Sequence, residues 1–394
     1  MSSETLILKE GKTFFRTYPP KDTGKGYVPT NLKVFYNPQM VFNRDLSLMV
    51  CSIISKRLGR PIAALEPLSG CGVRGIRFGV ELKDCFQSIL LNDINHEAYS
   101  LINDNVRMNR LRGLIYVSNE DANYLMRRFS IRNWYFDYVD IDPFGSPTGF
   151  IDSAIRSANK NTVLAFTATD MSVLCGVYPL KALRKYGGLP IRSEYCHEVA
   201  LRLLLNKLNM AAGSYEMAIK PLASYYADHY VRAYIAVVKP DQRDESAGRM
   251  TFIEHCFKCL FRDAVSEPSS FRRTCPYCGS DLSYVGPIWG GKIADEAFIR
   301  DILSLEGLDY LQSISQIRAL LTSILQENNM PISYYDIHVL CDLLQVKAPK
   351  MRDVINGILD AGYKVTNTHF SHKGIKTDAP LDTIKKVLLR PSFK

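Results

Sequence analysis

Between Pro61 and about Thr169, short apolar runs alternate with amphipathic segments, and this alternation constrains the fold more tightly than any other feature of the 394-residue chain. Ile62–Glu66, Ser88–Asp93, Tyr135–Asp140 and Thr162–Thr167 read as strands. Val73–Leu82 reads as a helix between the first two, and His96–Asn109 and Asn123–Phe129 as helices after the second. Strands separated by crossover helices pair in parallel, and a parallel sheet must be covered on both faces. The pattern predicts an α/β domain.

The rest of the chain has a different rhythm. A helix at Ile191–Leu208 precedes two strand-like runs, Ser214–Ile219 and Tyr230–Val238, and the charged stretch Lys239–Gly248 reads as a linker. A cysteine-bearing segment closes near Tyr284. Ile317, Leu320, Leu321, Ile324 and Leu325 then share one helical face, as do Met351, Val354, Ile355, Ile358 and Leu359. With a helix at Tyr334–Leu344 between them and a hairpin at Lys364–Thr368 and Gly374–Thr377, the C-terminal end is expected to be winged-helix-like. The expected organisation is a first domain at 1–240 and a C-terminal region at 241–394, with a cysteine module at 250–285 and the winged-helix-like end at 310–394.

Charge adds a direction. Lysine and arginine outnumber the acids 49 to 40, a net charge of +9, and Gln345–Lys394 alone carries ten basic residues against four Asp. A basic end suits a polyanion, nucleic acid being the commonest, although a solvated basic surface reads the same way. Met1–Arg16 carries Glu4, Lys9, Glu10 and Lys12 and so lacks a signal peptide's apolar run. No stretch has the length and apolarity of a membrane span. The expectation is a soluble, cytoplasmic protein with no membrane association and no obligate protein partner.

Two motifs follow strands of the α/β part. Glu66-Pro67-Leu68-Ser69-Gly70-Cys71-Gly72-Val73-Arg74-Gly75 ends one strand and opens a helix, and its glycines permit a tight turn and close approach to a ligand. The G-x-G-x-x-G spacing of dinucleotide sites is absent. The next strand ends at Asp93, placed to accept from ribose hydroxyls, and Glu120-Asp121-Ala122 follows the third, where an adenine amino group would be read. Successive sites at strand ends build a nucleoside cleft. The second motif, Asp140-Ile141-Asp142-Pro143-Phe144-Gly145-Ser146-Pro147, ends the fourth strand. An exocyclic base amine has its lone pair delocalised into the ring. An acid–Pro–aromatic turn supplies an acceptor for its N–H and a ring against the base, which together align it for attack on an electrophilic methyl.

The ten cysteines fall into two groups. Six are scattered among apolar neighbours and read as core residues. Cys256-x-x-Cys259 and Cys275-x-x-Cys278, fifteen residues apart, form a zinc-ribbon pattern. Four thiolates close a tetrahedral shell, so the expected Zn2+ is single and structural, and the adjacent His255 is not needed as a ligand. Arg262, Arg272 and Arg273 on this module are candidates for phosphate contact or for solvated surface charge. His197, inside a helix among apolar residues, reads as a packed histidine.

The Asp140–Pro147 run resembles that of the tRNA (guanine-26-N2)-dimethyltransferases of archaeal type. Phe35-Tyr36-Asn37-Pro38, Asn43-Arg44-Asp45, Arg74-Gly75-Ile76-Arg77, Thr169-Asp170, Arg184–Gly188 and Glu194–Glu198 are similar to further signatures of that family, so the resemblance spans nearly the whole chain. Cys71 departs from it, standing where Ala or Thr is expected. The resemblance implies an α/β class I (Rossmann-like) methyltransferase domain joined to an α+β C-terminal half with a zinc-ribbon-like module, and transfer of one or two methyls from S-adenosyl-L-methionine to N2 of guanine 26 in tRNA. It implies Asp142 as the amine-positioning acid, with Phe144 and Phe35 clamping the base. It also implies Arg44, Arg74, Asp93, Asp121 and Ala122 around the cofactor, the arginines near its carboxylate. Two alternatives stay open: a related enzyme acting on adenine N6 or on ribosomal RNA, and a non-catalytic RNA-binding protein.

Overall fold

A computed structural model describes residues 5–19, 33–240 and 250–390, so the expected linker Lys239–Gly248 lies outside the described residues beyond Pro240. The chain opens with an antiparallel hairpin of β1 (Leu6–Glu10) and β2 (Thr13–Thr17), followed by α1 (Val41–Leu58), which Gly59 ends in the left-handed conformation. The α/β alternation then runs β3 (Ile62–Glu66), α2 (Val73–Glu81), β4 (Phe86–Asn92), α3 (His96–Met108), β5 (Ile115–Ser118), α4 (Ala122–Ile131), β6 (Tyr138–Ile141), α5 (Ile151–Arg156) and β7 (Val163–Ala168). β3 pairs in parallel with β4 and β6, β4 with β5, and β6 with β7. All five residues of β3 and all four of β6 are buried, as strands covered on both faces must be.

Three helices come next, α6 (Met171–Leu174), α7 (Pro179–Tyr186) and α8 (Cys196–Gly213), and then β8 (Ala218–Ala227) and β9 (Tyr230–Val238). The full sheet has the order β5-β4-β3-β6-β7-β9-β8. It reverses direction between β3 and β6, and in open α/β sheets ligands bind at the carboxyl ends of the strands beside such a reversal. The strand expected at Ser214–Ile219 starts later and runs longer, because α8 extends to Gly213. Pro221 lies inside β8, which is tolerated because β8 is the last strand of the sheet and its outer edge pairs with no other strand among the described residues.

The remaining chain forms two small sheets with helices. β10 (Met250–His255), β11 (Arg262–Val265) and β12 (Ser283–Trp289) pair in the order β11-β10-β12 and carry the two cysteine turns. After α9 (Glu296–Leu303) and α10 (Ile314–Glu327) come β13 (Tyr335–Asp336), α11 (Ile337–Leu344), α12 (Met351–Asp360), β14 (Val365–Thr368), β15 (Ser371–Thr377) and α13 (Leu381–Leu388). The winged-helix outline therefore gains a short third strand and a closing helix. The helix expected from Tyr334 starts at Ile337, because the Asp336 carboxylate caps it by accepting from the His338 and Val339 amides, while Tyr335 and Asp336 pair with β15.

The chain divides into two compact units, one of Met1–Thr167, Tyr234–Val238 and Ala297–Ala319, the other of Ala168–Ala233, Lys239–Glu296 and Leu320–Lys394. In the second unit Cys256, Cys259 and Cys275 share a hydrophobic core with Ile337, Leu340, Val354, Ile358 and Ile384, so the cysteine module and the winged-helix-like end are packed as one body. Among the described residues, no helix is long and apolar enough to cross a membrane.

Candidate active site

The candidate cleft draws all of its residues from the first unit. Gly70 and Gly72 turn the chain from β3 into α2 with φ of +55° and +76°, a region that strains L side chains. A Cβ on Gly70 would lie 2.9 Å from the Phe35 carbonyl oxygen, so glycine is also what lets the 35–37 segment lie on the loop. The Cys71 amide donates to that same carbonyl at 3.3 Å. Cys71 itself is buried, which pushes its thiol up to about 12 and makes it a small apolar residue here.

Asp93 is fixed by two amides, Gly70 N at 2.8 Å and Asn95 N at 2.9 Å. Burial nevertheless moves its carboxyl above the ordinary value, against the effect of those hydrogen bonds. Asn92, fully buried, donates to the Pro67 and Glu120 carbonyls and accepts from the Glu120 amide. It thereby ties the glycine loop to the end of β5. Asp121 is the N-cap of α4, accepting from the Tyr124 amide at 2.9 Å, and Ala122 is the buried first residue of that helix.

At the reversal point Asp142 accepts from Arg74 Nη2 at 2.5 Å. Arg74 is itself held by Asn43 Oδ1 at 2.8 Å and Ser47 Oγ at 2.6 Å, and lies 3.4 Å from Asp140. Asp140 accepts from the Tyr138 hydroxyl at 2.5 Å and is buried, whereas the Asp142 side chain keeps 23% of its exposure. The Phe144 ring meets Phe35 edge to face, with centroids 4.4 Å apart.

Arg44 is gripped through Nε and Nη2 by both oxygens of Glu10, each at 2.6 Å. Burial works against ionisation of Glu10, but the guanidinium groups of Arg44 and Arg77 outweigh it and hold the carboxyl below its ordinary value. Asp45, Arg44's sequence neighbour, pairs instead with Arg77 at 2.7 Å.

Phe35, Arg44, Gly70, Arg74, Asp140 and Asp142 line one cleft. Phe144 reaches it through Phe35, and Asp93 through the Gly70 amide. Asp121 and Ala122 stand at the next strand end and do not line it. Reasoning from sequence gave no role in the site to Glu10, Asn43, Ser47 or Asn92. Each is a short polar residue whose partner lies 25 to 34 residues away, and no local pattern marks such pairs.

The four cysteines lie in the second unit. Cys256 and Cys278 sulfurs are 3.5 Å apart, Cys259 and Cys275 sulfurs 3.4 Å, and all four converge within 4.8 Å. The two turns match: the residue after each second cysteine, Leu260 at φ +64° and Gly279 at φ +69°, is left-handed, and its amide donates to the carbonyl of the first cysteine. This donor set fits a tetrahedral thiophilic cation. His255 is buried against Tyr195 and Phe257 and does not join the sulfurs. Arg262 is buried on Glu194 at 2.5 Å; Arg272 pairs with Glu254 and Asp263 but keeps 41% of its side-chain exposure, and Arg273 is exposed.

A doubly wound sheet with a glycine loop, fixed acids at strand ends and an acid–Pro–aromatic turn at its reversal defines a class I methyltransferase. The chain belongs to the N2,N2-dimethylguanosine tRNA methyltransferase family, whose model matches residues 11–389. It is 40% identical over 362 residues to the tRNA (guanine(26)-N(2))-dimethyltransferase of Methanothermobacter thermautotrophicus, covering 92% of this chain and 94% of that one. It is 33% identical to the tRNA (guanine(26)-N(2)/guanine(27)-N(2))-dimethyltransferase of Aquifex aeolicus, covering 91% and 90%. Among solved structures, Trm1 from Pyrococcus horikoshii in complex with S-adenosyl-L-methionine superposes with a TM-score of 0.82 at 32% identity, covering 98% of this chain and all of that one.

Proposed function

We propose that this protein transfers one or two methyl groups from S-adenosyl-L-methionine to N2 of guanine 26 in tRNA. The observation that carries the reading is a partly exposed carboxylate, Asp142, held by the buried Arg74 in a cleft beside the Phe35–Phe144 pair. The residues present fit the cofactor. Gly70 brings bare backbone to the cleft, Asp93 offers a fixed carboxylate at the end of β4, and Arg44 keeps Nη1 outside its Glu10 pair as a donor for a carboxylate. Arg74 would be the second such donor, and Asp121 with Ala122 would meet the adenine. When bound, the cofactor supplies an electrophilic sulfonium methyl.

The chain's own part is positioning and proton acceptance. Phe35 and Phe144 would separate to take the flipped guanine between them, since their rings meet directly here. Asp142 accepts a hydrogen bond from the N2 amine, which turns the nitrogen lone pair toward the methyl. As the N–C bond forms and the S–C bond breaks, Asp142 takes the proton that N2 releases. The 1–240 region would carry this chemistry and 241–394 would bind tRNA, with one structural Zn2+ on Cys256, Cys259, Cys275 and Cys278, in a cytoplasmic protein. Recognition would rest on tRNA shape and phosphates, because A-form helices hide their sequence.

Mass-spectrometric nucleoside mapping of tRNA incubated with protein and cofactor tests this. N2-methylated guanosine at position 26 is expected. Methylated adenosine, or cofactor binding without any methylation, would overturn the reading.

A further inference from the structure

Outside the cleft and the ribbon, one more cluster of ligand-type side chains lies in the second unit among the described residues: Cys175, Cys196 and His197, with their ligand atoms all within 4.8 Å of one another. Two segments distant in sequence make it. Cys175 caps the C-terminus of α6, and Cys196 and His197 begin α8. We propose that these three residues form a second metal site, a Cys2His set for a thiophilic divalent cation such as zinc, with its fourth position open to solvent or a small ligand.

The juxtaposition is built into the backbone. Gly176, at φ +83°, packs so closely on the next segment that a Cβ would lie 2.7 Å from the Ile191 carbonyl carbon. That contact sets Cys175 against the chain that enters α8. Cys196 opens an 18-residue helix, so it sits at the positive end of the helix dipole.

His197 is oriented as a ligand would be. Its ring stacks flat on Tyr226, with centroids 3.9 Å apart and planes at 11°, which fixes the ring plane. A neutral imidazole presents a lone pair on one of its two ring nitrogens, the atom a metal takes. Two sulfurs and one imidazole select zinc-like cations over calcium or magnesium. Three protein ligands leave the fourth tetrahedral position free, unlike the closed four-sulfur ribbon.

The test uses the full chain, reduced and kept from oxygen. Zinc is counted by elemental analysis, and Co2+ is then added while thiolate-to-cobalt absorption is followed. Zinc plus cobalt should total two per chain, and Cys175→Ser and His197→Gln should each remove one equivalent and leave the other. The retained equivalent also reports that the second unit still folds. A total of one that vanishes in Cys175→Ser supports this site and removes the ribbon assignment instead. A total of one that survives both substitutions overturns the proposal, as does a Cys175–Cys196 disulfide, found by mass spectrometry, in protein never exposed to oxidant.

Discussion

Asp140 and Asp142 lie two residues apart and both approach Arg74, so strand alternation does not separate their roles. Their surroundings do. Both line the cleft, but Asp140 is buried under the Tyr138 hydroxyl, while the Asp142 side chain is partly exposed. Asparagine at 142 would keep the shape and replace a charged acceptor with a neutral one, roughly halving the hydrogen-bond strength offered to the amine. Asp142→Asn should therefore lower kcat by about 10²-fold or more, the scale of a positioned acid–base group, with tRNA affinity nearly unchanged. Asp140→Asn should act mainly on stability, because it weakens a buried partner of Arg74; thermal melts and single-turnover rates separate the two. Loss of turnover in Asp140→Asn with Asp142→Asn still active would transfer the catalytic role to Asp140. The placement of Asp142 and Phe144 together was legible from sequence because proline and glycine confine them to one short turn. Arg44 was legible as a residue but not in its bonding: its partner is Glu10, 34 positions earlier.

Elements add their own stakes. The ribbon turns bury three of their four cysteines, and that core is shared with α11, α12 and α13. Cys259→Ser should lower the thermal midpoint through metal loss and leave cofactor affinity nearly intact, since metal binding energy is folding energy in such modules. A midpoint unchanged alongside a lost zinc would refute that coupling. A second buried cluster joins α10 to the wing. Burial alone would raise the Glu327 carboxyl, but the charges of His369 and Lys376 and the Thr368 hydroxyl outweigh it and bring it down to about 2. A carboxyl depressed in the folded state contributes stability that is present above its unfolded value near 4.5 and is lost as pH falls toward 2. Urea midpoints measured from pH 5 to 2.5 should fall more steeply in the wild type than in Glu327→Gln; parallel curves would count against the assignment. The sequence disclosed the elements with a clear period or buried strands, β3 to its last residue and the other bounded elements of the α/β run within three residues, but it gave no bounds for β5 or α5. It hid the β1–β2 hairpin, whose strands are five residues each, and placed β8 too early, where Pro221 interrupts the pattern.

For the whole molecule the question is where tRNA is gripped. Cutting the chain after Glu306 is a poor test, because Ala297–Ala319 belongs to the compact unit that holds the cleft. There the Ser313 amide donates to Asp45 at 2.9 Å, and Lys12 lies 3.9 Å from the Tyr310 ring centre. A truncation would damage the cofactor site along with any RNA-binding surface. Charge substitutions avoid this. Lys347, Lys350 and Arg352 are exposed where α12 begins, in a stretch whose basic residues outnumber its acids ten to four. Each phosphate no longer neutralised should reduce the slope of log affinity against log salt by about 0.7–0.9. Replacing all three residues with Gln should thus lower that slope by roughly 2–3 and weaken tRNA binding at low salt, while cofactor affinity and the thermal midpoint stay close to wild type. An unchanged slope would place the grip on another face, and a change in cofactor affinity would mean that the substitutions had disturbed more than the surface.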